Sequence, residues 1–290
     1  FNPYFPPYFV LSPKGLGRGG AVSTAFDNPE AFFVNPATAA FARPGLSQSH
    51  STRHFPGPKR NLDQLDADAV TLTFPGGPFA LALAFTVEGE LGYDYRVRND
   101  ERFPQEQYQG KEVVRGSARR LAFFGTGASV RTFHYLFNAS GFKPVSISGE
   151  GHSSGILFQW FPWLSTAAAT ENATTDGLPW DHMTRERKGW SLRLFPWLLV
   201  AGDREVRMFN SLGLAHSVRS DSFTGWEARL LPFMTLRNGN FAGHPTVGFS
   251  VGGATTSIDY AEVIGLLPDI VRAPLPNFKD VHIHGYTLYR

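Results

Sequence analysis

The sequence predicts an all-β fold, a closed antiparallel transmembrane barrel of about 14 strands with a short helical segment at its N-terminus that plugs or caps it. Three observations carry this. The composition is that of many aromatic strands separated by turns, with 26 Phe, 30 Gly and 21 Pro in 290 residues and only 18% charged residues. A two-residue alternation of apolar with small or charged side chains persists from Phe79 to Arg98, well beyond the five or six residues usual for a soluble strand. Finally, no stretch reaches the roughly 18 apolar residues of a spanning helix, since even Leu194 to Ala201 is interrupted by Pro196.

Residues 1–44 form the first unit. They are rich in Pro, Gly and Ala and contain two candidate short helices, Pro29 to Phe33 and Pro36 to Phe41, each with Pro in its first turn. Phe1, Tyr4, Phe5, Tyr8, Phe9, Phe26, Phe32, Phe33 and Phe41 carry more apolar area than a free tail exposes to water, which points to burial in the lumen as the nearest shelter, or against a partner protein. The chain opens on Phe1 without a leader, as a mature exported chain would.

Residues 45–290 form the second unit, the barrel. Val70, Leu72 and Phe74 alternate with Thr71 and Thr73, and Pro75-Gly76-Gly77-Pro78 turns the chain into the long alternating strand. In that strand Phe79, Leu81, Leu83, Phe85 and Val87 are expected to face lipid, and Ala80, Ala82, Ala84 and Thr86 the lumen, with Tyr93 and Tyr95 near a headgroup girdle. A long hairpin arm of a soluble β-sandwich is the alternative that alternation alone leaves open. Val247, Phe249 and Val251 mark a further strand whose second face is small and polar. Phe161-Pro162-Trp163 recurs as Phe195-Pro196-Trp197 and again as Leu231-Pro232-Phe233, an interval of about one membrane hairpin. Proline is tolerated at strand ends, so these triplets read as turns at one membrane interface with Trp as anchor. Asn99 to Gly116 and Thr166 to Lys188 are polar and charged, and read as long outer loops.

Charge and cysteine content narrow the function. A net charge of +2, with 27 basic residues scattered against 25 acidic ones, offers no run that tracks a phosphate backbone, so nucleic acid is not an expected partner. The absence of cysteine excludes disulfides and thiolate metal sites.

The N-terminal run Gly17-Arg18-Gly19-Gly20-Ala21, followed by Ala25-Phe26-Asp27-Asn28-Pro29-Glu30-Ala31-Phe32-Phe33-Val34-Asn35-Pro36-Ala37, resembles the opening of the PorV/PorQ family and of FadL-like outer-membrane barrels more widely. Leu46-Ser47-Gln48-Ser49-His50-Ser51 looks like that family's first strand, and Ser257-Ile258-Asp259-Tyr260-Ala261 like its Asp-Tyr-Ala element. The chain departs from the pattern in being short for PorV and in the apolar, Pro-rich insertion Ile264 to Pro276. The resemblance implies a bacterial outer-membrane barrel without enzymatic activity or cofactor, with Gly17, Gly19, Gly20, Asp27, Asn35, Pro36, Asp259 and Tyr260 as structural motif residues. For function it implies, first, a PorV-like binding or assembly component of an envelope or protein-secretion complex, in contact with other envelope proteins and outer-membrane lipid. The alternative it implies is FadL-like transport of hydrophobic small molecules, with such a ligand in the lumen.

Candidate chemistry is sparse. Glu88, Glu90 and Asp94 share a strand face but read as a solvated lumen or loop face. His282 with His284 and His50 with His54 have strand parity suited to a metal, without a further ligand cluster. His152-Ser153-Ser154 holds a nucleophile and a base that need distant groups to act. The sequons at Asn138 and Asn172 matter only in a glycosylating host. No catalytic, cofactor or metal residue is assigned.

Overall fold

Strands make up nearly all of the described residues after residue 44. The computed structural model describes residues 13–25, 31–42, 45–56, 62–76, 79–88, 106–139, 145–176, 182–211, 214–253, 256–264 and 280–289, with the backbone alone at 45–56, 62–76, 79–88, 106–112, 135–139, 145, 147, 210–211, 214–217 and 280–289. The strands are β1 (Gly45–Pro56), β2 (Leu62–Gly76), β3 (Phe79–Glu88), β4 (Glu106–Leu121), β5 (Phe124–Ala139), β6 (Val145–Phe161) and β7 (Leu164–Asp176). They continue as β8 (His182–Phe195), β9 (Leu198–Ser211), β10 (Leu214–Leu231), β11 (Met234–Phe241), β12 (His244–Gly252), β13 (Thr256–Ile264) and β14 (Asp280–Tyr289). Each pairs antiparallel with its sequence neighbours, and β14 pairs with β1, so the order returns to its start. The predicted all-β antiparallel sheet is therefore present. The N-terminal segment supplies α1 (Pro13–Gly17), α2 (Ala31–Val34) and a 3-10 helix (Pro36–Ala40).

The first hairpins follow their turn signals. β2 and β3 pair from Gly76 opposite Phe79, placing the Pro75 to Pro78 signal at the connection. The long alternating segment is described only as β3, and Gly89 to Arg98 lies outside the described residues, as does the Ile264 to Pro276 insertion beyond Ile264.

The aromatic-proline triplets all fall on two-residue connections at one end of the ring. Pro162-Trp163 joins β6 to β7, Pro196-Trp197 joins β8 to β9, and Pro232-Phe233 joins β10 to β11. Proline suits these places because a turn residue owes the ladder no N–H. Just before each triplet the register shifts, between Gln159 and Phe161, Arg193 and Phe195, and Arg229 and Leu231. Such a bulge inserts one extra residue and breaks the strict alternation. Two consecutive apolar residues are consequently exposed at each site, Trp160 with Phe161, Leu194 with Phe195, and Leu230 with Leu231. Phe161 stacks on Trp163 with centroids 4.8 Å apart and Phe195 on Trp197 at 5.2 Å. A regular set of backbone bonds links each connection to the next hairpin: Gln159 N–H donates to Phe123 O, Arg193 to Trp163 O, Arg229 to Trp197 O and Gly252 to Phe233 O. The expected single apolar rim of turns is thus present, and it includes the Ala122-Phe123 connection of β4 and β5, which lacks a proline.

Two of the expectations require correction. Asn99 to Gly116 is not wholly a loop, because β4 begins at Glu106, and Thr166 to Lys188 consists mostly of β7 and β8. The polarity of Thr166 to Lys188 arises from strands whose inner face is charged: β7 alternates buried and exposed residues, and Glu171, Arg185 and Arg187 are on the buried face. A strand with a polar interior reads as a loop when polarity is taken to mean water. In the N-terminal segment the candidate helix at Pro29 to Phe33 is α2, starting at Ala31, while Pro29 lies outside the described residues. The candidate at Pro36 to Phe41 is the 3-10 helix, and α1 had no clear sequence signal beyond Pro13.

Candidate functional site

Charged residues spaced by two bring their side chains to one face of a strand. On β8 this puts Arg185 and Arg187 inside, and on β9 Asp203, Glu205 and Arg207. Strand pairing then brings opposite charges together. Arg187 Nη2 lies 2.8 Å from Asp203 Oδ2, and Arg187 Nη1 lies 3.1 Å from Glu205 Oε2. Arg207 continues the chain to Glu205 at 2.6 Å and to Asp221 at 3.2 Å, and Arg219 reaches Asp221 at 2.9 Å. On the other side Glu171 receives Arg185 at 2.6 Å and Arg131 at 3.4 Å. An ion-paired belt thus runs around the inner face from β5 to β10, and farther on Arg237 meets Glu227 at 2.7 Å. Burial of these charges is tolerable because each has an opposite partner.

The belt grips the N-terminal segment. Asp203 Oδ2 accepts the backbone N–H groups of Val22 and Ser23 at 3.0 and 2.9 Å, and Oδ1 accepts the Ser23 hydroxyl at 2.6 Å. Arg187 donates to Gly20 O, and Arg131 and Arg185 donate to Phe33 O at 2.8 and 3.3 Å. Asn35 caps the 3-10 helix by accepting from Ala37 N–H at 3.1 Å, while its Nδ2 donates to Ser23 O at 2.9 Å and to Ile156 O of β6 at 3.3 Å. One asparagine therefore holds two parts of the segment and the barrel wall.

Wall glycines make room for this backbone. A methyl group on Gly155 would lie 1.9 Å from Asn35 Oδ1, and one on Gly127 would lie 2.4 Å from the Pro36 carbonyl carbon. At the other side of the ring a methyl on Gly225 would meet Arg18 O at 2.4 Å, and one on Gly239 would meet Gly19 N at 2.6 Å. Gly19 and Gly20 themselves have φ of 65° and 78°, which favours glycine. Apolar contacts complete the fit: Phe32, Phe33 and Ala39 pack with Val114 and Ala118, and Ala37 packs with Leu157 and Ala167.

Farther from the short-turn rim, inward Ala173, Met183 and Phe209 form a separate apolar patch on the wall. On the rim side of the belt a cavity of about 30 Å³ lies between the segment and the wall, lined by Arg18, Thr24, Ser165, Ser191 and Ala201 among others. That volume suits a water-sized occupant.

Of the described sequence-assigned motif residues, the glycines, Asn35, Pro36 and Asp259 lie at the contact between the segment and the wall, and Tyr260 does not. Gly17, Gly19 and Gly20 lie against β10 to β12, and Asn35 and Pro36 against β5 and β6. Asp259 is buried on β13, where it accepts from Ser257 Oγ at 3.1 Å and from Ser250 Oγ, and it lies 3.8 Å from Lys14 Nζ of α1. Tyr260 points the other way, stacked on Phe249 and donating to Glu262 at 3.0 Å. Asp27 lies outside the described residues, as do the side chains of Phe79, Leu81, Leu83, Phe85 and Val87.

The candidate chemistry is dispersed. Glu90 and Asp94 lie outside the described residues, and Glu88 is described by its backbone alone. His50, His54, His282 and His284 are in β1 and β14, with His54 opposite His282 in the backbone register. Among the described residues no group of three or more His, Asp or Glu gathers as for a metal. His152 is exposed and meets Glu150 at 3.1 Å, while Ser153 faces inward, so neighbouring members of that triplet lie on opposite faces. Asn138 belongs to β5 and Asn172 to β7.

Sequence reasoning missed the ion belt. Its signal was present in Arg185-x-Arg187 and Asp203-x-Glu205-x-Arg207. Partners, however, depend on register between strands, which a local pattern does not specify.

No family model matches the chain, and no curated protein matches it. Solved structures do. The toluene transporter TbuX of Ralstonia pickettii is 17% identical with a TM-score of 0.67, over 96% of this chain and 98% of that one. The CymD monoaromatic hydrocarbon channel is 13% identical with a TM-score of 0.66, over 97% of each chain. A FadL homologue of Pseudomonas aeruginosa is 11% identical with a TM-score of 0.58, over 96% of this chain and 98% of that one. At these identities the likeness is one of fold, and it extends over nearly the full length of each chain.

Proposed function

We propose that the chain is a closed fourteen-stranded barrel of the bacterial outer membrane that admits hydrophobic small molecules, with residues 1–44 as an internal plug and 45–290 as the barrel. The observation that carries this reading is the full-length fold likeness to hydrocarbon transporters and channels. Of the two functions the resemblance implied, this favours uptake over the PorV-like assembly role, for which neither the fold nor the relatives supply support.

Further support comes from the exposed aromatic rim at the short-turn end, which suits one membrane interface. The apolar patch of Ala173, Met183 and Phe209 suits an apolar solute that enters from the long-loop side, with the ion belt and plug beyond it. On β3, Phe79, Leu81, Leu83, Phe85 and Val87 face lipid. The backbone register supports this, because Ala80 and Ala84 pair with Ala118 and Val114, which are buried on the inner face. Outer-membrane lipid is the resident partner, and no enzymatic step is assigned.

The test is accumulation of radiolabelled toluene by Gram-negative cells that lack their own hydrocarbon transporters, with and without this chain. Faster accumulation with the chain is expected. An unchanged rate, together with stable co-purification of large envelope proteins from gently solubilised membranes, would favour the assembly role instead.

A further inference from the structure

We propose that Lys188 and Arg204 on the outer surface of the barrel bind the phosphate of an outer-leaflet lipid, an inference that rests on the outer-membrane placement above. The two residues are directly opposite each other across β8 and β9, and both are exposed. Their neighbours Arg187 and Glu205 belong to the buried inner belt, so the cations point away from it. Directly opposed residues on one face have Cβ atoms about 4.5–5.5 Å apart, and like charges at that spacing repel.

Among the described residues nothing supplies the counter-charge. Arg131, Arg185, Arg187, Arg207 and Arg237 on the inner face all have carboxylate partners, whereas among the described residues Lys188 and Arg204 have none within ion-pair distance. The Arg204 Nε–H reaches only Ser220 Oγ, at 3.5 Å. Glu186 lies at the next outward position of β8, on the side away from the short-turn rim, and pairs with neither cation.

The position suits a headgroup. Toward the rim the outer face of β8 continues through Trp190 and Leu192. Away from the rim it becomes Glu186, Thr184 and His182, and the adjacent face of β7 becomes Asn172, Thr174 and Asp176. On β7 and β8 the cations thus stand where the outer face changes from apolar to polar, as it does at the level of lipid phosphates, while on β9 and β10 the apolar surface continues beside them through Val206, Met208 and Val218. In the same cross-strand row Lys188 is flanked by Ala168 and Arg204 by Ser222, small side chains that leave space for a headgroup. A free phosphate in water would be held weakly by so exposed a pair, because salt screens it. An acyl-anchored phosphate is concentrated at this level.

The experiment uses the full chain inserted in phosphatidylcholine vesicles containing a small fraction of bisphosphorylated lipid A or its dephosphorylated form. Lipid that stays with the detergent-extracted protein is quantified by mass spectrometry, and heat-modifiable gel migration confirms the folded barrel in each variant. The unaltered chain should retain the phosphorylated lipid preferentially. K188Q/R204Q should lose that preference by about fivefold per cation removed, and K188R/R204K should keep it. Equal retention of the two lipids by the unaltered chain, or equal retention by the chain and K188Q/R204Q, would overturn the proposal. Complete displacement by inorganic phosphate would assign the site to free anion and overturn the lipid claim. A chain that stays outside the bilayer overturns the membrane reading and this proposal with it, whereas an inserted chain without phosphate preference overturns this proposal alone.

Discussion

Replacing Asp203 with Ala should release the N-terminal segment from the barrel wall. The carboxylate accepts two backbone N–H groups and one hydroxyl from Val22 and Ser23, and it is one of the two carboxylates that compensate buried Arg187. After substitution Arg187 keeps Glu205 at 3.1 Å, but the segment's donors lose their acceptor. Breaking a buried pair of this kind costs about 3–5 kcal/mol. If the cost falls on docking of the segment, local opening rises by roughly 150- to 5,000-fold. Ser23→Ala removes only the 2.6 Å hydroxyl bond to the carboxylate, about 1.5–3 kcal/mol, so its effect should be smaller. Hydrogen exchange followed by mass spectrometry on peptides covering residues 20–25 reads the difference directly. Unchanged protection in a folded D203A barrel would refute the idea that Asp203 holds the segment.

Four further outcomes are expected. Planar-bilayer recording of the intact chain should show little steady conductance, and deletion of residues 1–34 should raise it; large stable channels from the intact chain would exclude the plug. Gly155→Ala, whose methyl would meet Asn35 Oδ1 at 1.9 Å, should weaken protection of residues 31–37, whereas Gly253→Ala, with open space around it, should not. Tryptophan fluorescence from Trp163 and Trp197, isolated by replacing the other tryptophans with Phe, should be quenched more by bromines near the headgroup than by bromines at the bilayer centre, and the reverse order would remove the rim from the interface. Spin labels at Leu81, Leu83 and Phe85 should be more accessible to oxygen than to a water-soluble nickel complex, with the opposite result at Ala82 and Ala84; an inverted pattern would shift the β3 register by one residue.

Legibility of the fold from sequence followed the range of the interactions. The Pro75 to Pro78 turn and the three aromatic-proline triplets are local devices, and each lies at a strand connection. The helix at Pro36 was readable because Asn35 and Pro36 are an N-cap and first-turn pair in sequence. Polar strands were misread at Thr166 to Lys188 because a charged residue was weighed as solvent-seeking, when Glu171 and Arg185 find each other across β7 and β8. The grip on the N-terminus was less legible still. Asp203 and Ser23 are 180 positions apart, and nothing local marks one as the acceptor for the other.

The backbone links at the short-turn end have a consequence for how such a wall can change size. Each of the hairpins β6–β7, β8–β9 and β10–β11 gives one N–H to the connection before it and offers one carbonyl to the hairpin after it, as Arg193 does toward Trp163 and Trp197 does toward Arg229. Each of these three hairpins is thus a tile with matching edges at the rim, complete with its own bulge and exposed apolar pair. Duplicating one of these tiles leaves the donors and acceptors of the described rim matched, whereas adding a single strand leaves one of each without its counterpart. Growth or loss by whole hairpins is therefore the step this rim accommodates, and the circumference of the lumen changes in units of two strands.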